Sequence, residues 1–169
     1  MLGVLDNFPQ TIHRTTRLAS LISNRKLQQT LTEALQRLNK ESVNMERIAD
    51  PSMPQCSASF EFGIAETDGF NYLDDEEVDR VLKVIHKDPF KTMDLFCCLR
   101  YHRKHEDKKT PLRFDYYLLR FIFEEKSLDM LVFHERGPRY VSPEDLTDLV
   151  VSRINVVSQK KTLRLVGAC

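Results

Sequence analysis

Three short groupings carry residue types that chemistry needs. His102 and His105 form an H-x-x-H spacing beside the adjacent thiols Cys97 and Cys98. On a helix, histidines three apart share a face and can hold a metal. On a strand, side chains alternate and the two point opposite ways. The same alternation parts Cys97 from Cys98, and no C-x-x-C supplies the ligand pattern of a structural zinc site. Asp68, Asn71 and Asp74 lack the alternate-residue spacing and central glycine of a calcium loop. No metal and no cofactor is expected. Cys98 with His102 or His134 could act as a nucleophile and base only if the fold brought them together.

The second grouping is His134-Glu135-Arg136-Gly137-Pro138-Arg139-Tyr140. Arg136 and Arg139 flank a Gly-Pro turn just before Ser142, and arginine forks near a helix N-terminus can hold a phosphate or carboxylate. Glu144 and Asp145 already occupy that positive helix end, and Pro143 removes a donor. A structural pairing of these arginines with Glu135, Glu144 or Asp145 therefore competes with anion binding. Catalytic signatures are missing: there is no G-x-S-x-G, no P-loop and no G-x-G-x-x-G, and the five glycines are scattered. The chain reads as a binder rather than an enzyme.

The third grouping is electrostatic. Arg100, Arg103, Lys104, Lys108, Lys109 and Arg113 face only Glu106 and Asp107 in their segment, whereas Glu61 to Asp79 holds eight carboxylates and no Lys or Arg. The formal net charge of zero, 25 cations against 25 anions, thus conceals two poles. The basic segment, with Tyr101, His102 and His105 interleaved, suits a phosphate backbone. Opposite poles equally suit docking to a protein partner or to a second copy, and plain solvation of a turn and a helix start accounts for them too.

The elements that must position these residues are legible to different degrees. From Pro9 to Lys40 the apolar residues Ile12, Leu18, Leu21, Ile22, Leu31, Ala34, Leu35 and Leu38 recur at helical steps, with a break near Ser23-Asn24. This predicts a basic N-terminal helical arm over 1–42. Pro51 and Pro54 mark a linker over 43–55, ahead of a domain over 56–169 that forms one structural unit with the arm. Phe60, Phe62 and Ile64 alternate as in a strand with one buried face. Asp74 is the expected N-cap of the next helix, with Glu77 completing a capping box and Pro89 stopping it. Ser142 followed by Pro143 starts the last helix. The tail from Lys160 to Cys169, with Leu163, Leu165 and Val166, fits either a short edge strand or a frayed end.

Between Asp94 and Glu135 the reading forks. Aromatic runs at 95–101, 112–123 and 128–134, parted by polar turns, predict an antiparallel meander. The fold class is then α+β, with helices packed on one sheet face and the other left for water or a partner. The exposed face is expected around Arg113, Tyr117 and Arg120. Alternatively Leu112, Tyr116, Leu119 and Phe123 lie at helical spacing, and Asp74 to Asp145 would take a winged-helix order that reads nucleic acid through residues 100–113.

The 169 residues, 41% hydrophobic with ten Phe and five Tyr, exclude a disordered chain and suffice for an apolar core. No apolar run approaches the ~18 residues of a membrane span. The four cysteines, Cys56, Cys97, Cys98 and Cys169, are too few for a disulfide scaffold. No membrane partner and a cytoplasmic location are expected. The leading function is a protein-interaction module, self-associating through the sheet face or the N-terminal helix, with nucleic-acid binding as the alternative.

Overall fold

The computed structural model describes residues 1–45, 48, 56–103 and 113–168, and of Arg103, Gly167 and Ala168 the backbone alone. Its elements are β1 (Arg14–Ser20), α1 (Asn24–Leu38), β2 (Ser42–Asn44), β3 (Cys56–Glu66), β4 (Gly69–Tyr72), α2 (Asp75–Lys87), β5 (Thr92–Arg103), β6 (Arg113–Glu124), β7 (Ser127–Arg136), α3 (Pro143–Val157) and β8 (Leu163–Ala168). The fold is α+β. Its antiparallel sheet runs β2-β3-β5-β6-β7-β1-β8, with β4 also paired to β3.

The aromatic centre is extended. Thr92 to Tyr101 pairs with Ile122 to Arg113, and β7 continues the ladder. The winged-helix alternative is thereby corrected, since no helix lies between Thr92 and Arg103 or between Arg113 and Glu124. Apolar residues at both parities of β6 explain the outcome. Asp115, Tyr117, Leu119 and Phe121 are buried on one face, while Phe114, Tyr116, Arg120 and Ile122 turn to the other. A helix would have placed Tyr116 with Leu119 and Phe123, but period-two geometry sends it the opposite way.

We call the buried parity the core face. It carries Phe60, Phe62 and Ile64 of β3, Leu95, Cys97, Leu99 and Tyr101 of β5, and Met130 and Val132 of β7, all at most 2% exposed. The outer face carries the opposite parity. Buried residues of α1, α2 and α3, including Leu31, Leu35, Val81, Ile85, Leu146 and Val150, join the same apolar cluster. Among the described residues no helix is long and apolar enough to cross a membrane.

The N-terminal helical arm is corrected as well. The first regular element is β1, which lies inside the sheet between β7 and β8. Its inward residues are Thr16, Leu18 and Ser20, so two of the three alternating positions are polar and leave no apolar period. The break at Ser23-Asn24 is the strand-to-helix boundary: Ser23 Oγ caps α1 by accepting from the Lys26 N–H at 3.2 Å. Within the expected 43–55 linker, Val43 and Asn44 pair with Ala58 and Ser57 of β3. Pro51 and Pro54 lie outside the described residues.

The helix starts follow the sequence. Asp74 Oδ1 accepts from the Glu77 N–H at 2.8 Å, and Ser142 Oγ from the Asp145 N–H at 3.1 Å. The capping box is half made, because Glu77 Oε1 accepts instead from Asn71 and Arg80. Residues 2–6 fill the gap where β3 leaves β5: Gly3 N donates to Ala65 O and Asp94 N donates to Gly3 O, both at 2.7 Å.

Candidate functional site

The expected basic surface is described only in part. Arg100 points to the outer face and pairs with Glu61; Arg113 begins β6 and is exposed. The Arg103 side chain and Lys104, Lys108, Lys109 and His105 lie outside the described residues. Tyr117, expected on the exposed face with Arg113 and Arg120, is corrected: it is fully buried, one residue out of phase with the outer set. The acidic pole is local to the sequence and partly neutralised in the fold. Lys40 reaches Asp75 at 3.2 Å, and Arg80 reaches Glu66 at 2.7 Å and Glu77 at 3.1 Å.

On the core face the fold gathers a polar cluster that the sequence does not announce. Asp115, fully buried in the centre of the sheet, accepts from Tyr101 Oη at 2.6 Å and from the Arg139 and Tyr140 N–H groups at 2.7 and 3.0 Å. His134 Nε2 lies 2.7 Å from its Oδ1. Tyr117 donates its hydroxyl to the Val141 carbonyl. Gly137 makes the loop's approach feasible: at φ +114°, a Cβ there would stand 2.3 Å from Phe114 O and 2.4 Å from Asp115 Oδ1. Both Asp115 oxygens are committed, so the cluster works as a clasp that closes residues 137–141 onto the sheet.

The tyrosine hydroxyls and thiols nearby are held in their neutral forms. Burial first, then Tyr117 and Asp115, push the Tyr101 hydroxyl far up, and burial with Asp115 does the same to Tyr117. Burial raises Cys97 well above the ordinary thiol range and Cys98 to about 11. Neither thiol is poised as a nucleophile. The conditional pairing of Cys98 with His102 is not formed: the two lie four residues apart along β5, and His102 Nε2 meets Ser59 Oγ at 2.9 Å.

The outer face holds the most distinctive arrangement. A row of rings crosses it: Phe70 to Phe96 at 5.3 Å, Phe96 to Tyr116 at 5.7 Å, and Tyr116 to Phe114 at 6.2 Å. Arg136 lies over the Tyr116 ring at 4.4 Å from its centroid. A β-bulge puts it there. Tyr117 pairs with His134 and Tyr116 with Arg136, leaving Glu135 as the extra residue, and the one-residue slip turns Arg136 from the core parity to the outer one. Arg139 takes a different role, giving its backbone N–H to Asp115 at a φ of 62°. The two arginines proposed to hold an anion are thus used by two separate features. Arg136 keeps a loose pairing with Glu135 at 3.9 Å.

Beside the row, Arg113, Phe114, Tyr116, Arg136, Gly137 and Pro138 line an open cleft of about 580 Å³. Elsewhere on the face the arginines are paired across strands. Arg120 grips Asp94 at 2.7 and 2.8 Å and lies over Phe8; Arg17 grips Asp129 at 2.9 and 3.1 Å. The Arg17 bond holds the Asp129 carboxyl below its usual range. His13 stacks on Phe133 at 4.8 Å. The signal that could have located this face is the shared even parity of Phe96, Phe114 and Tyr116, opposite to Cys97, Asp115 and Tyr117.

No family model, no curated protein and no solved structure matches this chain.

Proposed function

We propose that this chain is a non-enzymatic protein-interaction module that docks a protein partner on the outer face of its sheet, the three helices being gathered on the core face. The observation that carries the reading is the aromatic row Phe70-Phe96-Tyr116-Phe114 with Arg136 laid over it. Aromatic residues and arginine are the types enriched where protein interfaces concentrate their energy. Phe114 at 37% exposed and Tyr72 at 46% offer large side chains that a partner would bury.

Charge favours a protein over a polyanion. Arg17, Arg100 and Arg120 are each neutralised by a carboxylate of a neighbouring strand, so among the described residues little unpaired positive charge spans the face. Phosphate binding draws its affinity from unpaired cations that release counterions. The corner cleft supports a second reading, in which a single nucleic-acid strand stacks a base on Phe114 with phosphates at Arg113 and Arg136.

Site-specific photocrosslinking tests both. A benzoylphenylalanine placed at Phe114 or Tyr116 in cells is expected to capture a protein, while the same probe at exposed Lys83 of α2 captures none. Adducts no stronger at the face than at Lys83 overturn the proposal. Nuclease-sensitive adducts, with oligonucleotide retention that falls steeply with salt, replace it by the second reading.

A further inference from the structure

The core face is not covered to its edge. α3 runs alongside β1: Arg14 lies 4.0 Å from Glu144 at the helix start, and Asn155 Oδ1 accepts from the Leu163 N–H at 2.9 Å near its end. Leu18 of β1 is 2% exposed, but Leu165, its neighbour in β8 on the same face, is 66% exposed. An open groove of about 590 Å³ remains between α3 and β8, with Leu18, Val151, Leu163 and Leu165 as its apolar lining. Small-ligand sites are clefts of about 300–1,000 Å³, apolar with a few placed polar groups.

The polar side chains of the helix wall are already engaged. Thr147 Oγ1 donates to Pro143 O, Ser152 Oγ donates to Leu149 O, and the Asn155 amide bonds both backbone groups of Leu163. Thr16 is the exception. It lines the groove at 2% exposed, and its Oγ1 has no hydrogen-bond partner among the described residues. Buried hydroxyls are ordinarily paired, so this one is left for a group from outside.

Charge divides along the groove. Toward the Thr16 end stands Asp148, whose carboxyl is raised above its ordinary range by burial first and then by Asp145 one turn earlier. Arg14 opposes that shift but is drawn toward Glu144. At the other end Lys161 and Arg164 line the groove, and neither has an ion-pair partner among the described residues. Seven residues of helix part Asp148 from Asn155, which sets the two ends about 10 Å apart.

We propose that this groove binds a short apolar peptide with free ends. Its ammonium sits at Asp148, its first carbonyl accepts from Thr16 Oγ1, and its carboxylate lies between Lys161 and Arg164. Three extended residues span about 10 Å, which matches the separation of the charged ends. Their apolar side chains bury Leu165, which the chain alone leaves in water. A simple amine would leave Lys161 and Arg164 unmet, and a fatty acid would leave Asp148 and Thr16 unmet. A peptide supplies all three polar groups at once.

Calorimetric titration of the full chain with trileucine tests the proposal. Saturable binding is expected, with N-acetyl-trileucine and trileucine amide each about tenfold weaker or worse. Asp148→Asn is expected to lose the preference for a free amine and keep that for a free carboxylate, and the double variant Lys161→Ala, Arg164→Ala to do the reverse. Thr16→Val is expected to weaken trileucine binding while raising the unfolding midpoint of the free chain, since it removes an unpaired buried hydroxyl. Phe114→Ala, on the outer face, leaves binding unchanged. Absence of saturable binding, equal affinity for the free and blocked peptides, or an amine preference that survives in Asp148→Asn overturns the proposal. So does binding lost in Phe114→Ala. Failure of outer-face crosslinking does not bear on it.

Discussion

Asp115 holds together parts of the chain that are distant in sequence, and its removal should be felt accordingly. Asp115→Ala leaves the Tyr101 hydroxyl, the His134 ring and the two loop N–H groups without their acceptor at a buried position. Unsatisfied buried donors cost about 1–3 kcal/mol each, so a loss of at least about 3 kcal/mol is expected in urea unfolding. A loss under about 1 kcal/mol would show that the clasp is not made. Glu66 makes a pH prediction. Its bonds to Arg80 first, and to Asn71, hold the carboxyl down at about 2 from an ordinary 4.5. A depressed carboxyl stabilises the fold above pH 4.5 and loses that contribution as pH falls toward 2. Glu66→Gln should therefore flatten the fall in melting temperature across that window, and a parallel fall in both proteins refutes the assignment. Neither partnership is legible beforehand. Asp115 and Arg139 are 24 residues apart, and only a closed sheet brings them within reach.

Elements are legible where their signal is local. Asp74, Ser142 and Pro143 mark helix starts because a cap acts within its own first turn. Asp74→Ala should cost about 1 kcal/mol in denaturant unfolding, with its m-value unchanged. An unchanged midpoint would show that the Asp74–Glu77 bond does not support α2. β1 escaped because its inward positions are Thr16, Leu18 and Ser20, and a hydroxyl-bearing strand has no apolar alternation to read. Its apolar residue Leu18 then fell into step with Leu21, Ile22 and the true helix of Leu31, Leu35 and Leu38. β6 was legible as aromatic and extended, but its phase was not. Apolar residues at both parities leave the sequence silent on which set is covered. The bulge at Glu135, which re-aims Arg136, has no local signal.

At the scale of the whole molecule, β1 is a keystone rather than an appendage. It separates β7 from β8, and its partners lie more than a hundred residues away. Deletion of residues 1–20 removes Leu18 from the core and strands β8 without a neighbour. Loss of the cooperative unfolding transition and of near-ultraviolet dichroism is expected. A truncated chain that still melted sharply would restore the idea of a dispensable arm. By itself the sequence determined an α+β chain with an apolar core, capped helix starts at Asp74 and Ser142, and a central aromatic meander. Those properties follow from composition, capping and side-chain period, which act over a few residues. Tertiary structure alone decided that the N-terminus enters the sheet, that Tyr117 is buried while Phe114 faces outward, and that cross-strand pairing neutralises Arg17, Arg100 and Arg120. The reason is that burial and charge pairing depend on distance in space, and strand pairing links residues that the chain keeps far apart.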